Sequence, residues 1–202
     1  MAQQVTNLIF AWALFGIFHS LLASTIVKNK LMQLMGKGDI YYRLIYSLVT
    51  AVTLVLVLHA HFSCDKIVLW LLPTIEKIAA AIMILGGLVI MVICAYDYLP
   101  RVSGISQIMS PEKKPILKKS GLHAYVRHPL YAGTFLFIWG VFLGYPYLNI
   151  LVSSTCVTIY TLIGIRFEEK KLLETFGDEY REYQKNVPML LPGMLGRKFK
   201  TI

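Results

Sequence analysis

The sequence predicts an all-α polytopic membrane protein with five transmembrane helices, the last two forming a tight hairpin, and a cytosolic amphipathic C-terminal segment. Apolar residues make up 56% of the 202 residues, and the mean hydropathy is +0.61. Soluble domains average about 45–50% apolar residues. The excess is concentrated in long stretches without charge, each close to the roughly 20 residues that a bilayer crossing requires. This distribution argues against a soluble protein with buried helices.

The first three predicted spans are separate apolar segments at about 5–26, 44–62 and 78–98. The first lacks the basic start and the small-residue cleavage site of a signal peptide. We therefore expect it to be retained as a membrane span.

The fourth and fifth predicted spans come from one long apolar run. Residues 131–165 contain no Lys, Arg, Asp, Glu or His, and this run is too long for a single crossing. Gly, Pro and Asn within 144–149 predict a tight turn. The spans are therefore placed at 130–146 and 148–165.

Basic residues orient the predicted spans, because cytoplasmic loops are enriched in Lys and Arg. Of the 20 Lys and Arg residues, only Lys66 and Lys77 fall on the side opposite the other basic residues. The N-terminus is then outside and the C-terminus cytosolic, and the expected location is a bacterial inner membrane. Residues 166–202 would form a cytosolic lid, and 1–202 a single integral membrane domain.

The net charge of +9 is explained by this topology and by contact with anionic lipid headgroups. The basic residues lie beside spans and lack the pattern of a nucleic-acid platform, so no nucleic-acid partner is expected. The three cysteines are scattered and form no C-x-x-C pair. No metal site is therefore predicted.

The cytosolic start of the fourth span carries more than a helix needs in order to begin. Pro129 suits the first helical position, but Arg127, His128 and Tyr131 have no such structural necessity. A helix N-terminus carries a partial positive charge, and the arginine adds a full one. This combination suits the carboxylate or phosphate of a cytosolic ligand.

Glu168 and Glu169 supply negative charge at the cytosolic end of the fifth span. A hairpin of the last two spans would bring these glutamates close to Arg127. A ligand with both a carboxylate and a cation, such as S-adenosylmethionine, would fit between the two charges. The alternative is that the arginine and the glutamates pair with one another and cap helix ends.

The tail after the fifth span shows helical periodicity. Gly177 predicts a break, and Tyr180 and Tyr183 begin a second short helical turn that Pro188 and Pro192 end. The apolar residues expected on one face of the first part are Phe167, Leu172, Leu173 and Phe176.

Several spaced motifs occur in order within residues 105–193. They are G-x-x-x-x-x-R-H-P-x-Y-x-G, then E-E, then F-G-x-E-Y-x-x-Y and V-P-x-x-x-P. This combination resembles the isoprenylcysteine carboxyl methyltransferase superfamily of membrane enzymes. FGIFHSLLAS, YYRLIYSLVTAVTL and VPMLLP resemble its bacterial branch of methanethiol S-methyltransferases and NnrU-like membrane proteins.

The resemblance implies an S-adenosyl-L-methionine-dependent methyltransferase, with the tail folded over the cofactor. A lipophilic or small-molecule methyl acceptor would enter from the lipid bilayer. The cofactor residues that the resemblance implies are Gln107, Pro115, Ile116, Leu117, Lys118, Gly121, His123, His128, Pro129, Leu130, Tyr131 and Glu168.

Two positions depart from the superfamily pattern. His123 replaces the usual tyrosine, and Gly164 stands where isoprenylcysteine enzymes carry a carboxylate-binding arginine, with Arg166 displaced by two residues. A bidentate arginine does not tolerate such a shift, so a small thiol, an amine headgroup or another amphiphile is favoured as acceptor.

Methyl transfer to a thiol or amine also requires loss of a proton, for which a base within hydrogen-bond reach is expected. The predicted catalytic residues are Arg127, Glu168, Glu169 and His123. The predicted substrate contacts are His19, an ionisable group inside the first span, and Arg166.

Two other functions stay open at this point. One is an NADPH-dependent membrane reductase of the sterol reductase type, although such enzymes tend to carry H-P-N-Y where this chain has His-Pro-Leu-Tyr. The other is a non-enzymatic membrane subunit that retains the motif.

Overall fold

The computed structural model describes residues 2–35, 39–71, 73–102 and 116–193. The chain is all-helical over these ranges, apart from an isolated bridge between Val68 and Tyr147. The α-helices are α1 (Ala2–Ala23), α2 (Thr25–Met35), α3 (Asp39–Phe62), α4 (Thr74–Val102), α5 (Pro129–Gly144), α6 (Leu148–Phe176) and α7 (Asp178–Asn186), and a short 3₁₀ helix covers Gly121–Ala124.

Four helical segments in the described part of the chain are long and apolar enough to cross a membrane. They are Ala2–Ala23, Leu44–Phe62, Thr74–Tyr96 and Leu148–Phe176. The apolar helix α5 has 16 residues, which gives a length of about 24 Å. This is shorter than the roughly 30 Å thickness of the hydrocarbon core.

The surfaces of these helices are apolar, as expected for contact with lipid. In α1, α3 and α4, many large aliphatic and aromatic side chains are exposed. Examples are Ile9, Phe10, Ile17, Leu48, Val55, Ile82, Leu85 and Val89. In water such surfaces would be unfavourable, whereas lipid tails solvate them.

Two helix boundaries differ from the sequence prediction. The first predicted span is interrupted at Ser24, which separates α1 from α2. The span predicted to end at residue 165 and the helical tail predicted after it form one continuous helix, α6, which reaches Phe176, because the charged residues of the tail are compatible with an exposed helix.

The predicted break in the tail is confirmed at Gly177, whose φ is +55°. Residues with a side chain rarely adopt this backbone conformation, whereas glycine does so readily, and α6 ends there. The predicted second helix is α7. Of the apolar residues expected on one face, Leu172, Leu173 and Phe176 pack against a buried cluster, whereas 71% of Phe167 is exposed.

The described helices divide into two compact units. One contains residues 1–71 and 145–160, and the other contains 72–144 and 161–202. In the first unit, α1 packs against α3. Its buried residues include Leu8, Ala11, Tyr42, Thr53 and Val57.

In the second unit, α4 and α5 approach closely through glycines. A Cβ atom added to Gly87 would lie 2.6 Å from Gly133 O and from Phe137 N, and one added to Gly140 would lie 2.9 Å from Ile84 N. Small residues of this kind let the backbones of membrane helices come into contact. This packing fixes the position of α5, whose first residue adjoins the candidate site.

We expect Gly87→Ala to destabilise the protein by about 1–3 kcal/mol through overpacking, although alanine is the better helix former. Gly86 is the matched control, because a Cβ there would meet nothing within 4 Å. Gly86→Ala should leave stability unchanged or slightly raised. Unfolding of both variants in detergent measures the difference, and equal stabilities would show that the glycine contact is not tight.

Candidate active site

The candidate site begins at the mouth segment, residues 121–131, which leads into α5. Gly121 has a φ of +64°, a conformation that favours glycine. Further along, the N–H of Arg127 donates to Pro188 O at 2.8 Å and the N–H of His128 donates to Met189 O at 3.1 Å. The backbone of the terminal segment, residues 187–192, is therefore bonded directly to the mouth segment.

Glu169 on α6 is the centre of a group of hydrogen bonds. Its Oε1 accepts from Arg127 Nε at 2.8 Å, from His128 Nε2 at 3.1 Å and from the Tyr180 hydroxyl at 3.3 Å, and its Oε2 accepts from Gln184 Nε2 at 3.1 Å. We call these five residues the Glu169 cluster. The cluster joins the mouth segment to α6 and α7, with 42 residues of sequence between Arg127 and Glu169.

Arg127 is bonded through all three of its nitrogens. Nη2 lies 2.7 Å from Glu169 Oε1, while Nη1 donates to Val187 O at 2.6 Å and to Gln184 O at 3.2 Å. Only 11% of the arginine side chain is exposed, and 17% of the Glu169 side chain. The pairing that the sequence left open as an alternative is thus the observed arrangement of these two residues.

Glu168, the neighbouring glutamate, is placed differently. Its side chain is 45% exposed, and its Oε2 accepts from the Tyr131 hydroxyl at 3.0 Å and lies 3.9 Å from His128 Nδ1. The centroids of the His128 and Tyr131 rings are 5.8 Å apart. An accessible carboxylate therefore lies beside a phenol and a buried imidazole at the mouth segment.

The turn after α6 packs α7 against the mouth segment. Tyr180, Tyr183 and Val187 form a buried cluster, onto which Leu117 and Phe176 pack. The Tyr183 hydroxyl donates to His123 O at 2.5 Å. Burial raises the pKa of the Tyr180 phenol, and the negative charge of Glu169 raises it further. Tyr180 thus stays a neutral donor to Glu169 at physiological pH.

The described residues bring together most of the predicted cofactor and catalytic residues in one compact unit. Buried His123 and His128 and half-buried Leu130 and Tyr131 lie in the mouth segment, with Glu168 and Glu169 beside it. The roles given to these residues, including catalysis by Arg127, Glu168, Glu169 and His123, stay predictions.

Other predicted residues lie elsewhere. Ile116 and Arg166 are exposed, whereas Lys118 is half-buried. Gln107 and Pro115 fall outside the described residues. His19 belongs to the first compact unit, where its ring nitrogens lie 3.2 and 3.3 Å from the Tyr46 hydroxyl.

Sequence reasoning gave no site role to Tyr180 or Gln184, although both donate to Glu169. Their spacing of four residues on α7 places them on one helix face. Together with the buried Tyr183 and Val187, which are also four residues apart, this periodicity is the signal that could have identified them.

The arrangement can bind a positively charged group. The accessible Glu168 carboxylate supplies a negative charge, and a hydrogen bond from the Tyr131 hydroxyl orients that carboxylate. The sulfonium or the ammonium of S-adenosylmethionine fits this set of side chains. Arg127 already pairs with Glu169, so the Glu168 side of the mouth segment is where the residues present fit that cofactor.

Comparison with curated proteins found methyltransferases. The chain is 47% identical over 75 residues to a methanethiol S-methyltransferase from Pseudomonas deceptionensis, covering 36% of this chain and 27% of that protein. It is 34% identical over 107 residues to a protein-S-isoprenylcysteine O-methyltransferase from Xenopus laevis, covering 48% of this chain and 35% of that protein. The aligned part is thus about a third or less of these relatives.

No solved structure matches the chain. A family model described as NnrU protein matches residues 7–195. This match includes α2 to α7 and all members of the Glu169 cluster. The chain belongs to the NnrU family.

Proposed function

We propose that the chain is an S-adenosylmethionine-dependent integral membrane methyltransferase that acts at the cytosolic membrane face. The observation that carries this proposal is the position of Glu168, accessible and bonded to Tyr131 beside His128. Relatives named as methyltransferases support it. The methyl acceptor is a lipophilic molecule or a small thiol or amine, because Gly164 supplies no side chain to bind an acceptor carboxylate.

The residues of the site divide into two roles in this proposal. Glu168, Tyr131 and His128 contact the cofactor, and the Glu168 carboxylate faces its positive charge. Arg127 and Glu169 are positioning residues, since their polar atoms bond to each other, to His128 and to the terminal segment. His123 contributes its carbonyl to the same framework through Tyr183.

The bound cofactor supplies an electrophilic methyl group on a sulfonium. Glu168, Tyr131 and His128 would hold the cofactor at the mouth segment, and an acceptor with a free lone pair would take the methyl group there after passing its proton to a base of the site. The chain contributes position and exclusion of water, which are the main sources of catalysis in such a displacement.

The proposed topology has five spans, with α5 crossing as the fourth and forming a hairpin with α6. Tyr131 at the start of α5 contacts Glu168 in the later part of α6, which supports placing both at one membrane level. The N-terminus is then outside, the C-terminus is cytosolic, and the whole chain acts as one domain of a bacterial inner membrane protein.

We expect Glu168→Gln to weaken binding of S-adenosylhomocysteine by about tenfold, because it removes the charge but keeps an oxygen for Tyr131. Isothermal titration of the detergent-purified protein measures this affinity. Glu174→Gln on an exposed part of the same helix is the matched control and should bind like wild type. Absence of binding in wild type would overturn the proposed function. Equal affinities in the two variants would exclude Glu168 from the cofactor site.

A further inference from the structure

An apolar cavity of about 580 Å³ lies in the same compact unit as the Glu169 cluster. It is lined by Met83 and Ile90 of α4, by Phe135 and Trp139 of α5, and by Leu191 of the terminal segment, among others. All of the described residues that line it are apolar or aromatic. Its volume lies in the range of pockets that bury small organic ligands, about 300–1,000 Å³.

Part of the cavity wall is formed by the mouth segment. Leu122, Val126 and Pro129 line the cavity, and the last two directly flank Arg127 and His128 in sequence. The same short piece of backbone thus carries cavity-lining side chains and members of the Glu169 cluster.

The wall made by the terminal segment is held by polar contacts. The N–H groups of Arg127 and His128 bond to Pro188 O and Met189 O, and the Arg127 side chain bonds to Val187 O. Leu190, Leu191 and Pro192 follow directly and line the cavity. Because its wall depends on the cluster, the cavity belongs to the candidate site and differs from a general lipid-facing surface.

The lining excludes a zwitterionic ligand, since a charge buried there would have no partner. An aliphatic chain suits it, because burial of apolar surface is favourable. A thiol with a single carbon would leave most of the cavity unfilled, and unfilled space forfeits packing contacts.

We propose that the methyl acceptor is an amphiphile whose aliphatic chain lies in this cavity and whose methyl-accepting head lies at the mouth segment. This inference rests on the proposed methyltransferase function. It assigns the acceptor to the class of long-chain molecules, of which aliphatic thiols are the simplest probes.

The test compares methyl transfer to decanethiol and to ethanethiol in lipid nanodiscs. In wild type, the ratio of kcat/KM for decanethiol to kcat/KM for ethanethiol should be about ten or more, because the longer chain buries much more apolar surface in the cavity. Ala132→Phe places a ring in the cavity. It should lower the decanethiol-to-ethanethiol ratio of kcat/KM by about tenfold. Ala81→Phe on an exposed part of α4 should keep the wild-type ratio. Partition of decanethiol into lipid affects all three proteins equally, so the comparison of ratios is decisive.

Titration with S-adenosylhomocysteine on the same samples separates the two levels of inference. If cofactor binds but the ratio is the same in Ala132→Phe and Ala81→Phe, the cavity does not hold the acceptor chain and the methyltransferase proposal stands. If wild type neither binds cofactor nor transfers methyl, the proposed function fails and this assignment fails with it. Should Ala132→Phe itself lose cofactor binding, Leu136→Trp fills the same cavity and replaces it in the comparison.

Discussion

Replacement of Glu169 by alanine is expected to release α7 and the terminal segment from the rest of the protein. The substitution leaves the buried Arg127 charge without its partner and removes the acceptor of His128, Tyr180 and Gln184. Breaking a buried ion pair by removing one partner costs about 3–5 kcal/mol. Since α7 depends on few other polar contacts to the mouth segment, most of this loss should appear as local opening of the tail.

Limited trypsin digestion measures the opening, because Arg181 and Lys185 lie on α7 with side chains 69% and 73% exposed. A folded helix resists cleavage at these residues, and we expect Glu169→Ala to speed cleavage by about tenfold or more. Glu174→Ala on the exposed surface of α6 is the control and should cleave at the wild-type rate. A wild-type rate in Glu169→Ala would mean that apolar packing alone holds the tail.

That the candidate residues of the mouth segment and the two glutamates lie together was predictable from the sequence, because it depends on covalent neighbours and on span length. Arg127, His128 and Tyr131 are adjacent to Pro129, and a proline with these flanking residues marks a helix start whatever the tertiary structure. The length of the preceding apolar run predicted that the two glutamates lie at the same membrane level as Arg127. Local chemistry and span length sufficed for both.

The different environments of Glu168 and Glu169 were not predictable from pattern and charge, although the superfamily resemblance assigned only Glu168 to the cofactor. The two residues are identical and adjacent, so pattern and charge treat them alike. They point about 100° apart around the helix, and which of them faces the buried arginine depends on the rotation of α6. Tertiary packing around Tyr180, Tyr183 and Val187 fixes that rotation, and a single sequence contains no direct record of it.

The extent of the helices was predictable only where a residue forces an end. Gly177 adopts a positive φ and ends α6 where the sequence predicted a break. Residue 165, in contrast, was predicted to end the membrane span, not the helix, because charged residues begin there. Charge limits how far the apolar part extends into lipid but does not end a helix, so α6 continues to Phe176.

Substitution of Arg127 by lysine is expected to destabilise the site almost as strongly as substitution by a neutral residue. The guanidinium contacts Glu169 through Nε and Nη2, and its Nη1 donates to Gln184 O and Val187 O. Lysine offers one nitrogen and cannot reproduce this fork. Each lost hydrogen bond from a charged group costs about 1.5–3 kcal/mol. We therefore expect faster tryptic cleavage of α7 and weaker binding of S-adenosylhomocysteine together.

Arg181 provides the matched arginine-to-lysine control. It pairs with Asp178 on the exposed side of α7, where both side chains are more than half exposed, and such pairs contribute about 0–1 kcal/mol. Lysine there keeps a trypsin site and should change neither cleavage nor cofactor binding. If Arg127→Lys behaves like Arg181→Lys, positive charge alone is sufficient at the mouth segment and the fork geometry is dispensable. If Arg127→Lys opens the tail and cofactor binding falls with it, the arginine serves the site through the structure that it fixes.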